Sequence, residues 1–274
     1  MKLLLDIACV KKPSLIFRRG TGAFSLIEML VVITIIGILA AIGLPHLKGW
    51  GEANAMTAAT QQMLDTVSLA RQKAISTRSR VYLVFVGPEV VDTTFLNTLS
   101  PKEKKEAANL FNGQYTTYAL FSQHPVGEQL GRSNPRYLTA WKSLPDNIFI
   151  ATNKFAPLSE AARFLGYVET NRPFSYVQLP FPLATSPGFF VPCLIFNSQG
   201  QLVSELNPNS KQFEGASIPL TRGSIFYERD TNGVPVVGPA DLVETPAGNS
   251  ISNYNNIRID WLTGRARLER RQIE

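Results

Sequence analysis

One carboxylate, Glu28, stands inside FSLIEMLVVITIIGILAAIGLP, residues 24–45, a run that carries no other charge. Placing an ionised carboxylate in hydrocarbon costs at least about 2.5 kcal/mol on the insertion scale, so such a group needs a partner. The run holds no cation, and the partner must come from elsewhere. A second set of oxygens is Glu228, Asp230 and Asn232, at alternate positions before Gly233, like the start of a calcium loop. Position twelve of that loop is Pro239, which cannot supply the bidentate acid, so a plain turn is the preferred reading and calcium the alternative. His46 and His124 are the only histidines, and neither has a ligand-spaced cysteine or acid beside it. With no GxSxG, HExxH, P-loop or paired CxxC pattern, no catalytic residue, metal centre or cofactor is assigned, and the chain does not read as an enzyme.

These groups must be held by a scaffold. The chain has 274 residues, 45% apolar and 10% aromatic, enough for one or two modest domains with a packed core. Its formal charge of +6 hints at nucleic acid, but Lys2, Lys11, Lys12, Arg18 and Arg19 against Asp6 place +4 of it before Phe24. The +2 left for the rest of the chain is too little for a phosphate-binding face, so no nucleic-acid partner is expected. Cys9 lies in the same basic segment, and Cys193 sits in FFVPCLIFN, where it reads as a small buried hydrophobe. A basic leader followed by an apolar run is the layout of a secretory signal. Residues 24–44 make about 31 Å of helix, matching a hydrocarbon core of about 30 Å. That length predicts a signal-anchor with its N-terminal end in the cytoplasm, in preference to a signal peptide cut near Ala40 or Ala41.

The stretch TGAFSLIEMLVVITIIGILAAIGLP resembles the N-terminal signature of type IV prepilins and type II secretion pseudoprepilins. The resemblance implies that a prepilin peptidase cuts on the cytoplasmic side of the apolar run and N-methylates the new terminal residue. The family has Glu at the fifth mature position and often Pro at the twenty-second. A cut between Ala23 and Phe24 makes Phe24 first, Glu28 fifth and Pro45 twenty-second. The family normally has Gly before the cut, where this chain has Ala23; a cut after Gly22 would move Glu28 to sixth place. The resemblance further implies that the Glu28 carboxylate of one subunit meets the Phe24 amine of a neighbour in an assembling filament. An assembly ATPase and a platform membrane protein would supply the work, at the bacterial inner membrane.

Beyond Pro45, Leu47, Trp50, Met56, Ala59, Met63, Val67, Ala70 and Ala74 recur mostly every three or four residues, which predicts an amphipathic continuation of the helix. Pro45, with Gly43, Gly49 and Gly51, is expected to kink or loosen it at the membrane boundary. One helix over residues 24–77 would be about 80 Å long. Residues 63–85, MLDTVSLARQKAISTRSRVYLVF, are similar to the pseudopilin H and FimT class in Leu69, Ala70, Arg71, Ala74 and Ile75, with a strand over 81–86. Phe196 to Gly200 fits the FxxxG turn of that class, and Trp261 to Gly264 is a looser echo. The whole chain, including WKSLPDNI at 141–148, is similar to the Verru_Chthon cassette protein D family.

Ser100, Pro101 and Glu103 predict a capping-box start for a helix within 99–111, with Lys102, Lys104 and Lys105 on a solvated face. Strands are predicted at 115–122 and 148–152, a short helix at 157–165, and two hairpins turning at Gln199-Gly200 and Thr263-Gly264. The fold class is α+β and pilin-like: a long N-terminal helix packed on an antiparallel β-sheet domain. Its expected divisions are a cytoplasmic leader (1–23), a transmembrane and assembly helix (24–45), an amphipathic half of the same helix (46–78) and a β-rich periplasmic domain (79–274). The expected function is that of a minor pilin or pseudopilin in a type IV pilus or type II secretion pseudopilus, with the filament periplasmic or extracellular. Prepilin peptidase, other pilin or pseudopilin subunits, the platform protein, the ATPase and the inner membrane are its expected partners. The alternative is a membrane-anchored or released periplasmic binding module.

Overall fold

The computed structural model describes residues 25–123, 134–155, 173–204, 215–229, 231, 236–252 and 255–270, without the side chains of residues 41–53, 251, 252 and 270. The chain divides into two compact units, Met1–Gly49 and Trp50–Glu274. Helix α1, Leu26–Thr77, contributes to both. The expected stripe is the reason its second half folds onto a sheet domain: Ala59, Met63, Val67, Ala70 and Ala74 have no solvent exposure, and Met56 packs partly buried against the same core. Leu47 and Trp50, the first members of that stripe, have side chains outside the description.

The second unit is built on two antiparallel sheets. In the first, β1 (Val81–Phe85) is central, between β2 (Thr117–Ser122) and β7 (Gly188–Phe196). The short strands β3 (Arg136–Tyr137) and β4 (Lys142–Ser143) extend β2, while β6 (Ser175–Pro180) and β8 (Leu202–Val203) extend β7. In the second, the long β9 (Gly215–Phe226) pairs with β5 (Ile148–Ile150), β10 (Asp241–Glu244) and β11 (Asn255–Asp260). The outer strand β12 (Ala266–Arg270) pairs with β11. Helix α1 lies over both: Gln62 Nε2 donates to Tyr118 Oη at 2.8 Å on the first sheet, and Asn255 Nδ2 of the second donates to Thr60 Oγ1 at 3.4 Å.

The first sheet is buried on both faces, and the period-two alternation of β1 divides its side chains between two cores. Val81, Leu83 and Phe85 join the α1 stripe, with Leu120, Leu194, Ile218 and Ile257 in the same cluster. Tyr82, Val84 and Val86 face the other way, into a cluster with Phe121, Cys193 and Ile195. That second face is covered by α2 (Thr93–Thr98) and α3 (Pro101–Phe111), through Phe95, Leu99, Ala107, Leu110 and Phe111. Phe95 stacks on Phe189 with ring centroids 4.0 Å apart. Residues 93–111 thus form a helical layer over a sheet face that would otherwise be apolar and wet.

The capping box of α3 is present: the Ser100 backbone N–H donates to Glu103 Oε2 at 2.9 Å and its hydroxyl to the same oxygen at 2.7 Å. These bonds to the ionised form hold the Glu103 carboxyl below its ordinary value. Lys102, Lys104 and Lys105 are exposed as expected. Three strand boundaries differ from expectation, the first being that β1 ends at Phe85, one residue early. Tyr115 takes φ 64 in a turn, so β2 begins only at Thr117. A 3-10 turn, Thr152–Lys154, ends β5 at Ile150. Strands β3, β4, β6, β9 and β10, helix α2 and a short helix at Asn249–Ser252 are additional to the elements predicted above, and the helix expected at 157–165 lies outside the described residues. Met63 carries the clearest packing prediction: Met63→Ala should lower stability by about 2–5 kcal/mol, read from urea unfolding.

Candidate functional site

The acid that opens the chain's chemistry is in place on the first turn of α1, where Ser25 O accepts a hydrogen bond from Met29 N–H at 3.1 Å. A negative charge beside the free N–H groups of a helix start is favourable by about 0.3–1 kcal/mol. The Glu28 side chain is exposed, and among the described residues no cation or donor meets its carboxylate. Thr34, the other polar group on this stretch, is self-satisfied: its hydroxyl lies 2.9 Å from Leu30 O and 2.8 Å from Val31 O, within reach of both carbonyls of its own helix. Around these two, Leu26 is 84% exposed, Ile33 63% and Leu39 64%, and the intervening Met29, Leu30, Val31, Val32, Ile35, Ile36 and Ile38 are exposed as well. Successive residues point to all sides of a helix, so this surface is apolar all round, the character of a helix that is covered by lipid or by other helices. Glu28 is the one uncompensated charge on it.

Of the other residues expected to act here, Ala23 and Phe24 lie outside the described residues. At Pro45 the backbone is helical and α1 is assigned without a break from Leu26 to Thr77, although a proline there removes one backbone hydrogen bond. The side chain of Pro45 lies outside the description, as does that of His46. Among the described residues no helix is long and apolar enough to cross a membrane. The described apolar side chains, residues 25–40, measure about 24 Å along the axis, against about 30 Å of hydrocarbon.

The calcium alternative falls mostly outside the described residues. Glu228 O accepts from Val236 N–H at 2.8 Å, and Asp230 and Asn232 lie outside the described residues. No group of three His, Cys, Asp or Glu side chains able to hold a metal occurs among the described residues. Cys193 is fully buried in β7, packed among apolar side chains.

A second constellation forms where the LARQKAI end of α1 meets both hairpin turns. Gly200, at φ 76, closes the β7–β8 turn, and Gly264, at φ 63, closes the β11–β12 turn. A Cβ added to Gly264 would lie 1.9 Å from Gly200 O, and one added to Gly200 would lie 2.7 Å from Ile75 Cδ1. Arg71 Nε donates to Thr263 O at 2.7 Å, and Leu202 N–H donates to Trp261 O at 2.9 Å, joining the two turns to the helix and to each other. Turn chemistry announced each glycine singly, but their convergence on Arg71 has no local signal. Gln114 is a similar non-local tie: its buried amide donates to Phe111 O and Gly238 O, both at 3.1 Å, and accepts from Ala240 N–H at 3.1 Å.

No curated protein and no solved structure matches the chain. Residues 18–44 match the family described as the prokaryotic N-terminal methylation motif, a match that encloses Glu28 and the exposed apolar turns around it and that supports a subunit of the pilin or pseudopilin type.

Proposed function

We propose that this chain is a minor pilin or pseudopilin, a non-enzymatic subunit that assembles through the first half of α1 into a type IV pilus or type II secretion pseudopilus. The observation that carries the reading is the all-round apolar surface of residues 26–39 with one unpartnered carboxylate, inside a matched methylation motif. Prepilin peptidase cuts between Ala23 and Phe24 and methylates the Phe24 amine. The new cation then lies one helical turn from Glu28 along the chain, and in a bundle of such helices it meets the Glu28 carboxylate of a neighbouring copy. An unpaired charge in low dielectric is costly and a hydrogen-bonded pair is tolerated, so axial register between subunits is set by this contact. Before assembly the segment anchors the chain in the inner membrane by a single pass, with residues 79–274 on the periplasmic side. The assembly ATPase and platform protein drive extraction.

The two sheets and their helical cover present the surface that meets other subunits or exported cargo, and the Arg71 clamp holds that surface on the helix that enters the filament. Mass spectrometry of the mature N-terminus tests the reading. The expected end is N-methyl-Phe24. An end near Ala41 or Ile42 would mean a released periplasmic domain and overturn the proposal, and an intact leader would do the same. A methylated Ala23 would move the cut to Gly22 and break the register of Glu28.

A further inference from the structure

The turn that leaves β1 carries an acid that the assembly reading does not use. Glu89 lies in the 3-10 turn Pro88–Val91, with Gly87 before it; a Cβ on Gly87 would come within 2.2 Å of Glu89 Oε2, so only glycine admits the carboxyl there. Phe155 closes one side, in edge contact with Phe85 and with Tyr115 at ring separations of 6.5 and 5.1 Å. Glu89 Oε2 is buried without a hydrogen-bond partner. The other oxygen, Oε1, is 2.5 Å from Tyr176 Oη, and that same hydroxyl is 2.5 Å from Phe155 O.

Counting protons decides the state of this cluster. A tyrosine hydroxyl has one proton, a backbone carbonyl only accepts, and an ionised carboxylate only accepts. With Glu89 ionised, one of the two close oxygen contacts of Tyr176 would have no proton in it. With Glu89 neutral, both are satisfied: Glu89 donates to Tyr176 Oη, and Tyr176 donates to Phe155 O. The orphaned Oε2 agrees, because a carbonyl oxygen loses far less than a charged one when buried unpaired.

Among the described residues, the groups facing Glu89 supply no compensating charge. They are Tyr176 from β6 and Tyr115 from the turn before β2, both with hydroxyls pushed up, first by burial and then by the Glu89 charge. Lys154, next to Phe155, directs its amine to Ser217 Oγ at 3.2 Å and over the Phe174 ring. Among the described residues no cation lies within ion-pair distance of Glu89. Burial moves the Glu89 carboxyl up from its ordinary value, against the smaller opposing pull of the Tyr176 hydrogen bond.

We infer that Glu89 keeps its proton in the folded domain and serves as an acid-tightened latch, tying the turn that leads into the α2–α3 cover to β6 and to the Phe155 turn. The sign follows from linkage. A raised folded value means that the latch contributes fully below the ordinary glutamate value of about 4.3 and is lost as pH rises through the raised value. Glu89→Gln reproduces the neutral acid, its amide donating to Tyr176 at every pH.

Infrared difference spectra of the full-length chain in detergent, wild type minus E89Q, followed through a pH titration, should show a hydrogen-bonded carboxylic acid carbonyl band that survives above the ordinary glutamate value of about 4.3. Urea midpoints of the two chains should agree near pH 4 and separate in favour of E89Q as pH rises. Absence of any acid band above that value, in the wild-type chain read with or without the variant as reference, overturns the proposal. A midpoint gap that is constant with pH, or that favours the wild type at higher pH, also overturns it.

Discussion

Gly264→Ala should destabilise the domain by about 3–5 kcal/mol, in the range reserved for substitutions that break a specific packing arrangement. Two terms add. The left-handed backbone at φ 63 costs an L side chain about 1–2 kcal/mol. The remainder comes from the contact itself, because the new methyl would lie 1.9 Å from Gly200 O and 3.4 Å from Arg71 Cδ. A backbone carbonyl cannot rotate aside as a side-chain tip can, so the two hairpin turns must separate and the Arg71 bond to Thr263 O is lost with them. Gly248 provides the control, since it has φ 77 and nothing within 4 Å of an added Cβ. Gly248→Ala therefore bears the backbone term alone. Paired urea denaturation curves check the claim, and a G264A loss no larger than that of G248A would show that the clamp contributes nothing.

Glu28→Ala should leave membrane insertion intact and abolish filament incorporation. Insertion improves because a carboxylate costing at least about 2.5 kcal/mol in hydrocarbon is gone. On the proposed pairing, assembly suffers because the neighbour's Phe24 amine would be left buried without its counter-charge, a loss of about 3–5 kcal/mol per contact. At 1.4 kcal/mol per decade, incorporation falls more than about a hundredfold. Glu28→Gln keeps the shape and should fail almost as badly, which separates charge pairing from packing. The check is the amount of each variant in sheared filaments against that in the membrane fraction. Normal incorporation of E28A would end the pairing model while leaving the processing of Phe24 untouched.

The parts of the molecule that are legible in its sequence are those written within one turn or one strand of the chain. The stripe Ala59, Met63, Val67, Ala70 and Ala74 is a period of helix, the Ser100–Glu103 box is a spacing of three, and Gly200 and Gly264 are turn residues where a left-handed backbone is required. Strand β9, by contrast, has no clear local signal: GASIPLTRGSIF mixes small, polar and charged residues with its apolar ones, and its central Pro219 argues against a strand. Pairing with β5, β10 and β11 overrides that weak local preference. Helix α2, six residues long, is too short to show a period, and it forms because Phe95 and Leu96 bury on the first sheet.

Sequence alone determined that Glu28 is the single charge of an apolar helical segment and that this segment has the form of a methylation signal, because both facts are contiguous in the chain. It also determined that α1 continues as an amphipathic helix onto a β-rich domain, since burial of one face imposes a period that can be counted. Only the tertiary structure decided that β1 is buried on both sides, that two glycines 64 positions apart touch over Arg71, and that Glu89 is enclosed by Gly87, Phe155 and Tyr176. Those contacts join residues far apart in the chain, and their free energy arises from the exclusion of water at a place that no local run of residues defines.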